Sequence, residues 1–140
     1  MIHKLYLGLG SNLGNREANI RQALVLIDER MGSVYRVSSF MESEPLGFDS
    51  PNKFINAVCC VHTMMSPLAC LRETQRIELE LGRTQKSIYT DGAFLYHDRC
   101  IDIDLLIYDD ITINTLELTL PHPRMKERDF VMKPLEEILV

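Results

Sequence analysis

Two helical stretches with explicit start and stop signals each lie between strand-like stretches, and this order restricts the fold more than any other feature. Residues 3–9 (His-Lys-Leu-Tyr-Leu-Gly-Leu) alternate as a strand does. Asn15 can cap a helix, and Glu17 sits in its first turn. Ile20, Leu24, Ile27 and Met31 then recur at helical spacing, and Gly32 can end the run. Residues 34–42 read as a second strand and 54–63 as a third, with a turn-rich stretch over 43–52 between them. Ser66-Pro67 is a cap followed by proline at the first helical position, which predicts a helix to Leu81 stopped by Gly82. Residues 101–108 form a fourth strand and 111–113 a short fifth. The tail is expected to hold one helical turn near Arg124–Arg128.

The order βαββαβ predicts an α+β, ferredoxin-like sandwich: an antiparallel sheet with helices on one face. The 140 residues suit a single domain, 1–140, and no repeat or linker divides them. A net charge of −5 argues against nucleic acid as a partner, so any polyphosphate would need basic groups gathered locally. No stretch approaches the ~20 apolar residues of a membrane helix, so no membrane partner is expected. The first apolar run ends at Gly8-Leu9-Gly10-Ser11-Asn12, too early for a signal peptide. Cys59, Cys60, Cys70 and Cys100 form no C-x-x-C pair and read as reduced thiols, mostly core, in a cytoplasmic protein.

The strongest chemical signal is Cys100-Ile101-Asp102-Ile103-Asp104-Leu105-Leu106-Ile107. On a strand, Ile101, Ile103, Leu105 and Ile107 share one face and Asp102 and Asp104 the other. Two carboxylates at this spacing repel by roughly 2–3 kcal/mol at an effective dielectric of ~20. A divalent cation would turn that cost into binding, and hard oxygen ligands suit Mg²⁺. Two surface acids on a half-exposed strand fit the residues equally well. On the helix over 67–81, Gln75 and Glu78 fall inside the arc of Leu68, Cys70, Leu71, Ile77, Leu79 and Leu81, where they could read a purine edge. A narrower buried face that leaves Glu78 wet fits as well. Phe54 and Asn56 share a face of the third strand and suit a flat heterocycle, with Phe130 to close the other side; ordinary core aromatics are the alternative. The basic turn Pro121-His122-Pro123-Arg124-Met125-Lys126-Glu127-Arg128, with Arg83 and Arg99, could gather charge around a polyphosphate; taken alone it reads as a basic surface turn. The stretch from Arg83 to Cys100 has no clear period and is expected to be a functional lid, with a solvated loop whose charges are incidental as the alternative. Leu13 stands where a dinucleotide fingerprint needs its third glycine, and there is no Walker motif.

Several stretches, in order along nearly the whole chain, carry a resemblance. They are Gly8-Leu9-Gly10-Ser11-Asn12-Leu13-Gly14, Val37-Ser38-Ser39-Phe40 leading to Glu44-Pro45-Leu46-Gly47, and Phe54-Ile55-Asn56-Ala57. Thr74-Gln75-Arg76-Ile77-Glu78 with Gly82-Arg83, Arg99-Cys100-Ile101-Asp102-Ile103-Asp104, and Leu120-Pro121-His122-Pro123-Arg124-Met125 with Arg128 and Phe130 follow. Together they resemble the 6-hydroxymethyl-7,8-dihydropterin pyrophosphokinases of folate synthesis, whose fold is the ferredoxin-like sandwich.

The resemblance implies transfer of pyrophosphate from ATP to the pterin alcohol, with AMP leaving. It implies that Asp102 and Asp104 hold two Mg²⁺ ions, and that Arg83, Arg99, Asp102 and Asp104 carry the catalysis. Gln75, Glu78, Leu105 and Thr119 match positions around the adenosine. Arg83, Arg99, His122 and Arg128 match the phosphate-handling groups. Ser43, Leu46, Phe54, Asn56 and Phe130 match the pterin pocket. A monomer whose partners are ATP and the reduced pterin is expected. The chain departs from the family pattern at Gln85, where many members carry a second arginine, and Lys86 is expected to replace it in part. Tyr96 stands where tryptophan is common, and Pro123 where tyrosine often stands. A non-catalytic ligand-binding module explains the fold but not the Asp102/Asp104 pair. A Mg²⁺-dependent nucleotide hydrolase leaves Phe54, Asn56 and Phe130 without a purpose.

Overall fold

Strand β1 (His3–Ser11) runs through the middle of an antiparallel sheet and is flanked by β4 (Phe54–Thr63) and β5 (Asp102–Tyr108). The structure is a computed structural model that describes residues 1–44, 52–82 and 100–139. Among these residues the sheet order is β2-β4-β1-β5, where β2 is Gly32–Val37, and the short β3 (Met41–Ser43) also pairs with β4. That order, with helices α1 (Arg16–Arg30) and α2 (Pro67–Gly82) as the two crossovers, is the expected βαββαβ sandwich.

The helix starts are set locally. Asn15 accepts a hydrogen bond from the Ala18 N–H at 3.1 Å, and Ser66 accepts one from the Ala69 N–H at 3.3 Å. After α1 the chain must turn into β2 directly against β4. Only glycine fits at position 32, because a side chain there would collide with the His62 carbonyl.

Strand alternation then divides the buried residues between two faces. Leu5, Leu7 and Leu9 of β1, Ala57, Cys59 and Val61 of β4, and Ile103 and Leu105 of β5 meet Ile20, Ala23 and Ile27 of α1 and Cys70 and Ile77 of α2. Leu7 is fully buried here, so Leu7→Ala would cost about 2–5 kcal/mol. Tyr6, Val58, Cys60 and Leu106 point to the opposite face and pack on Met125 and on Val131, Leu135 and Ile138.

Those last three belong to α3 (Asp129–Ile138), where the sequence suggested only one turn. The expected turn is present as a 3-10 segment, Met125–Glu127, and α3 follows it. Pro134 disguised this helix, since proline removes a backbone donor from a helix interior. A strongly amphipathic face, with Pro134 itself buried, holds the helix in place. Glu137 anchors it further by accepting the Ser39 N–H at 2.8 Å and the Ser39 hydroxyl at 2.6 Å.

The strand expected over 34–42 is broken at Ser38. Its N–H donates to the Val58 carbonyl at 2.8 Å, while its hydroxyl accepts the Val58 N–H at 2.9 Å. A side chain thus replaces one rung of the ladder. Near the end of β5, pairing shifts between Tyr6 and Leu7, so Leu106 is an extra residue. Ile107 therefore packs on the α3 side rather than with Ile103 and Leu105, a correction to the simple alternation. The short expected strand near 111–113 is β6 (Ile113–Asn114), which pairs with β7 (Thr119–Leu120). Among the described residues, no helix is long and apolar enough to cross a membrane. All four cysteines are free, and Cys59, Cys60 and Cys70 are buried.

Candidate active site

A cavity opens on the sheet face away from α1 and α2. Gly8 and Gly10 of β1 form its floor, Phe54, Asn56 and Val58 of β4 one wall, and Asp102 and Asp104 of β5 the other. Ser43 and Glu44 close one end, and Arg128, Phe130 and Val131 come from the start of α3. Seven residues singled out from the sequence, Ser43, Phe54, Asn56, Asp102, Asp104, Arg128 and Phe130, therefore line one space.

The cavity joins two kinds of chemistry. On the β4 side Asn56 is buried, and its amide nitrogen donates to Ser43 Oγ at 2.7 Å and to the Met41 carbonyl at 3.3 Å. A backbone carbonyl can only accept, so these bonds settle which way the amide is turned. Asn56 Oδ1 faces the space above Gly10. Phe54 and Phe130 are both half-buried in the cavity wall. Arg128 lies over the Phe130 ring, with its guanidinium carbon 5.7 Å from the ring centre.

On the β5 side the charges are negative. Asp102 and Asp104 sit half-buried on the cavity face. Glu78 reaches from α2 to the outer edge of β5, where it accepts the Ile103 N–H at 2.8 Å. Burial pushes the Glu78 carboxyl up to about 8, with the nearby Asp102 and Asp104 adding to the rise against the Ile103 bond. His122 is tied to β5 through its N–H, which donates to the Leu106 carbonyl at 2.8 Å. Its Nδ1 accepts the Arg124 N–H at 3.2 Å. Burial and then Arg128 hold the His122 imidazole below its ordinary range, while Asp102 pulls the other way. Thr119 lies on β7, just before the cis Leu120–Pro121 peptide that leads to His122.

On α2 the placements differ from the sequence reading. Gln75 is exposed, not inside a buried arc. The buried stripe of α2 is Cys70, Thr74 and Ile77, and Leu79, assigned to the apolar side, is 73% exposed. A helix packed on one sheet and one neighbour buries a narrow stripe, and Gln75 falls beyond its edge. Leu105 is 4% exposed, and its side chain points into the α1/α2 core, away from the carboxylates. Any ligand at Leu105 would meet its backbone. Leu46, Arg83, Arg99, Gln85, Lys86, Tyr96 and the expected lid lie outside the described residues.

Gly8 and Gly10 were not singled out as site residues from the sequence. The available signal was their spacing: alternate glycines on a strand leave one face bare. Asn12, outside the cavity lining, has a structural part. It is 2% exposed and donates to the Asn52 carbonyl at 3.2 Å, which joins the loop after β1 to the segment entering β4.

A family model described as "7,8-dihydro-6-hydroxymethylpterin-pyrophosphokinase (HPPK)" matches residues 6–140. A 2-amino-4-hydroxy-6-hydroxymethyldihydropteridine pyrophosphokinase of Porphyromonas gingivalis is 46% identical over 135 residues, covering 96% of this chain and 89% of the relative. A Bacillus subtilis protein of the same name is 40% identical over 134 residues, covering 95% and 76%. Among solved structures, Plasmodium falciparum HPPK-DHPS wild type with SDX-DHP aligns with a TM-score of 0.73 at 14% identity. The alignment covers 98% of this chain but only 41% of that longer one, and it bears on the fold alone. The match along nearly the full length and the identity to these relatives lead to one assignment: the chain belongs to the 7,8-dihydro-6-hydroxymethylpterin-pyrophosphokinase family.

Proposed function

We propose that this chain transfers the terminal pyrophosphate of ATP to 6-hydroxymethyl-7,8-dihydropterin in folate biosynthesis, giving the pterin diphosphate and AMP. The observation that carries this reading is the single cavity in which Phe54 and Asn56 face Asp102 and Asp104 across β1. A flat heterocycle held at the first pair can extend its hydroxymethyl group towards the second.

The donor set fits Mg²⁺. Asp102 and Asp104 offer carboxylate oxygens on the cavity side, and Mg²⁺ is commonly held by one or two carboxylates together with phosphates and water. Two such ions, when bound, would neutralise phosphate charge and polarise the phosphorus under attack. In the reaction, the hydroxymethyl oxygen forms a bond to the β-phosphorus and loses its proton. The bond from that phosphorus to the oxygen shared with the α-phosphate breaks, and AMP leaves. The protein's part is placement and exclusion of water. Asn56 and the two phenylalanines hold the ring, Arg128 and His122 lie beside the carboxylates where phosphates would enter, and Glu78 backs Asp102 from the edge of the sheet. Gln75, Thr119 and the Leu105 backbone would border the adenosine. Arg83 and Arg99 would add positive charge, and Ser43 would fix the Asn56 amide. The enzyme is read as a cytoplasmic, single-domain monomer, and its free cysteines support the compartment.

The test is an assay with ATP, Mg²⁺ and the reduced pterin alcohol. AMP and the pterin diphosphate in equal amounts are expected. ADP as the stoichiometric product, or AMP formed equally fast without pterin, would overturn the reading.

A further inference from the structure

Gly10 pairs with Asn56 of β4 on one side and with Asp102 of β5 on the other. Interstrand spacing is about 4.8 Å, so the strands carrying the amide and the carboxylates stand about 10 Å apart across a strip of bare backbone. The backbone itself does not call for glycine here. Among the described residues, the glycines with positive φ are Gly14 and Gly32. What Gly10 provides is space. A Cβ on it would stand 3.1 Å from Asn56 Oδ1 and 3.3 Å from Cδ1 of Phe54, both closer than side chains ordinarily tolerate. Asn56 is poorly placed to give way, because its amide nitrogen is fixed by Ser43 Oγ and the Met41 carbonyl. Phe54 could yield only by moving in the cavity wall it forms. At Gly8 the situation differs: the nearest neighbour a Cβ there would meet is Leu106, at an ordinary 3.5 Å.

We propose that Gly10 is a positioning residue of the pterin site, kept bare so that Asn56 Oδ1 and the Phe54 ring can close down on the β1 backbone and hold the posture that receives a planar two-ring heterocycle. The proposal rests on the reading of Phe54 and Asn56 as the pterin pocket. It makes Gly10 the seat on which both pocket side chains rest: a single methyl group there would push Asn56 and Phe54 out of place.

The test compares the parent with Gly10→Ala and Gly8→Ala. Affinity for 6-hydroxymethyl-7,8-dihydropterin is measured with a non-hydrolysable ATP analogue and Mg²⁺ present, and affinity for the analogue and thermal unfolding are measured separately. Gly10→Ala is expected to weaken pterin binding about tenfold or more, the scale of one methyl group forced into a packed site. Its affinity for the ATP analogue should stay at the parent's value, and Gly8→Ala should shift pterin affinity less. If Gly10→Ala loses both ligands equally or unfolds well below the parent, Gly10 serves packing and the proposal falls. If the parent makes AMP and pterin diphosphate while Gly10→Ala keeps its pterin affinity, the proposal falls and the assigned reaction stands. A parent that binds no pterin overturns both.

Discussion

The Glu78 carboxylate accepts the backbone N–H of Ile103 at 2.8 Å, and so a helix side chain holds the strand that carries Asp102 and Asp104. An edge strand with an unsatisfied donor beside two carboxylates would be a weak support for either. Glu78 meets the donor, but it does so as a third acid in one neighbourhood, and burial with that crowding holds its carboxyl at about 8 against an ordinary 4.5.

A pH dependence follows from that shift. The folded chain holds a proton on Glu78 that the unfolded chain releases at lower pH, so folding takes up a proton in this window. The stabilising contribution is full below the unfolded value of 4.5 and is lost as pH rises through about 8. In metal-free buffer, denaturant unfolding of the parent should show stability falling across this range relative to Glu78→Gln, which cannot ionise. Parallel profiles for the two proteins would remove the buried protonated carboxyl.

Asp102→Asn and Asp104→Asn should each lower kcat by about a hundredfold or more, the scale of losing one preorganised electrostatic group. Asparagine keeps the shape and polarity of each side chain, so circular dichroism and the unfolding midpoint should stay close to the parent's. Near-parental rates for both variants would remove the carboxylates from the metal site.

Asn56→Ala should weaken pterin binding by about tenfold or more, because a ring donor buried without its partner costs about 1–3 kcal/mol. ATP affinity should change little. Ser43→Ala tests the support behind that amide. Removing the hydroxyl that accepts Asn56 Nδ2 at 2.7 Å should produce a smaller loss in the same direction. Equal losses of pterin and ATP in calorimetry would mean that the sheet, rather than the pocket, had been disturbed.

Glu137→Gln should loosen α3 at its far end. The parent carboxylate accepts both Ser39 donors, and these bonds hold its pKa below the ordinary range. Their contribution is therefore present above the unfolded pKa and lost as pH falls through the lower folded value. Since Phe130 lies in the first turn of α3, pterin affinity should fall several-fold in the variant while ATP affinity holds. An unchanged pterin affinity at neutral pH would show that the anchor does not reach the pocket.

The parts of this fold readable in advance were those encoded within a few residues. Asn15 and Ser66 start their helices where the capping pattern puts them, and the Asp102/Asp104 alternation correctly separates the carboxylates from Ile103 and Leu105. What escaped depended on distant pairing. The extra residue at Leu106 exists only because β5 must follow β1, so nothing local to 105–108 reveals that Ile107 changes face. α3 was hidden by Pro134, whose cost is offset by apolar packing on Tyr6, Val58 and Cys60 from strands far earlier in the chain. Gln75 was misplaced because helical spacing gives an arc but not its width, which is set by the elements that pack against it. The grouping of Ser43, Phe54, Asn56, Arg128 and Phe130 with the two aspartates came from family resemblance. Local periodicity offered alternatives for each residue and could not join them.

Gly8, Gly10, Asn56, Asp102 and Asp104 all face the cavity, while Leu7, Leu9, Ala57, Ile103 and Leu105, next to them in the chain, face α1 and α2. Substrate recognition and structural integrity are therefore written in alternate letters of the same three strands. Changes in the first set act on the cavity rather than on the apolar side chains that face α1 and α2. A point insertion or deletion inside β1, β4 or β5 would instead exchange the two sets at once. Among mutations of equal size in these strands, shifts in length should be purged far more strictly than changes of residue.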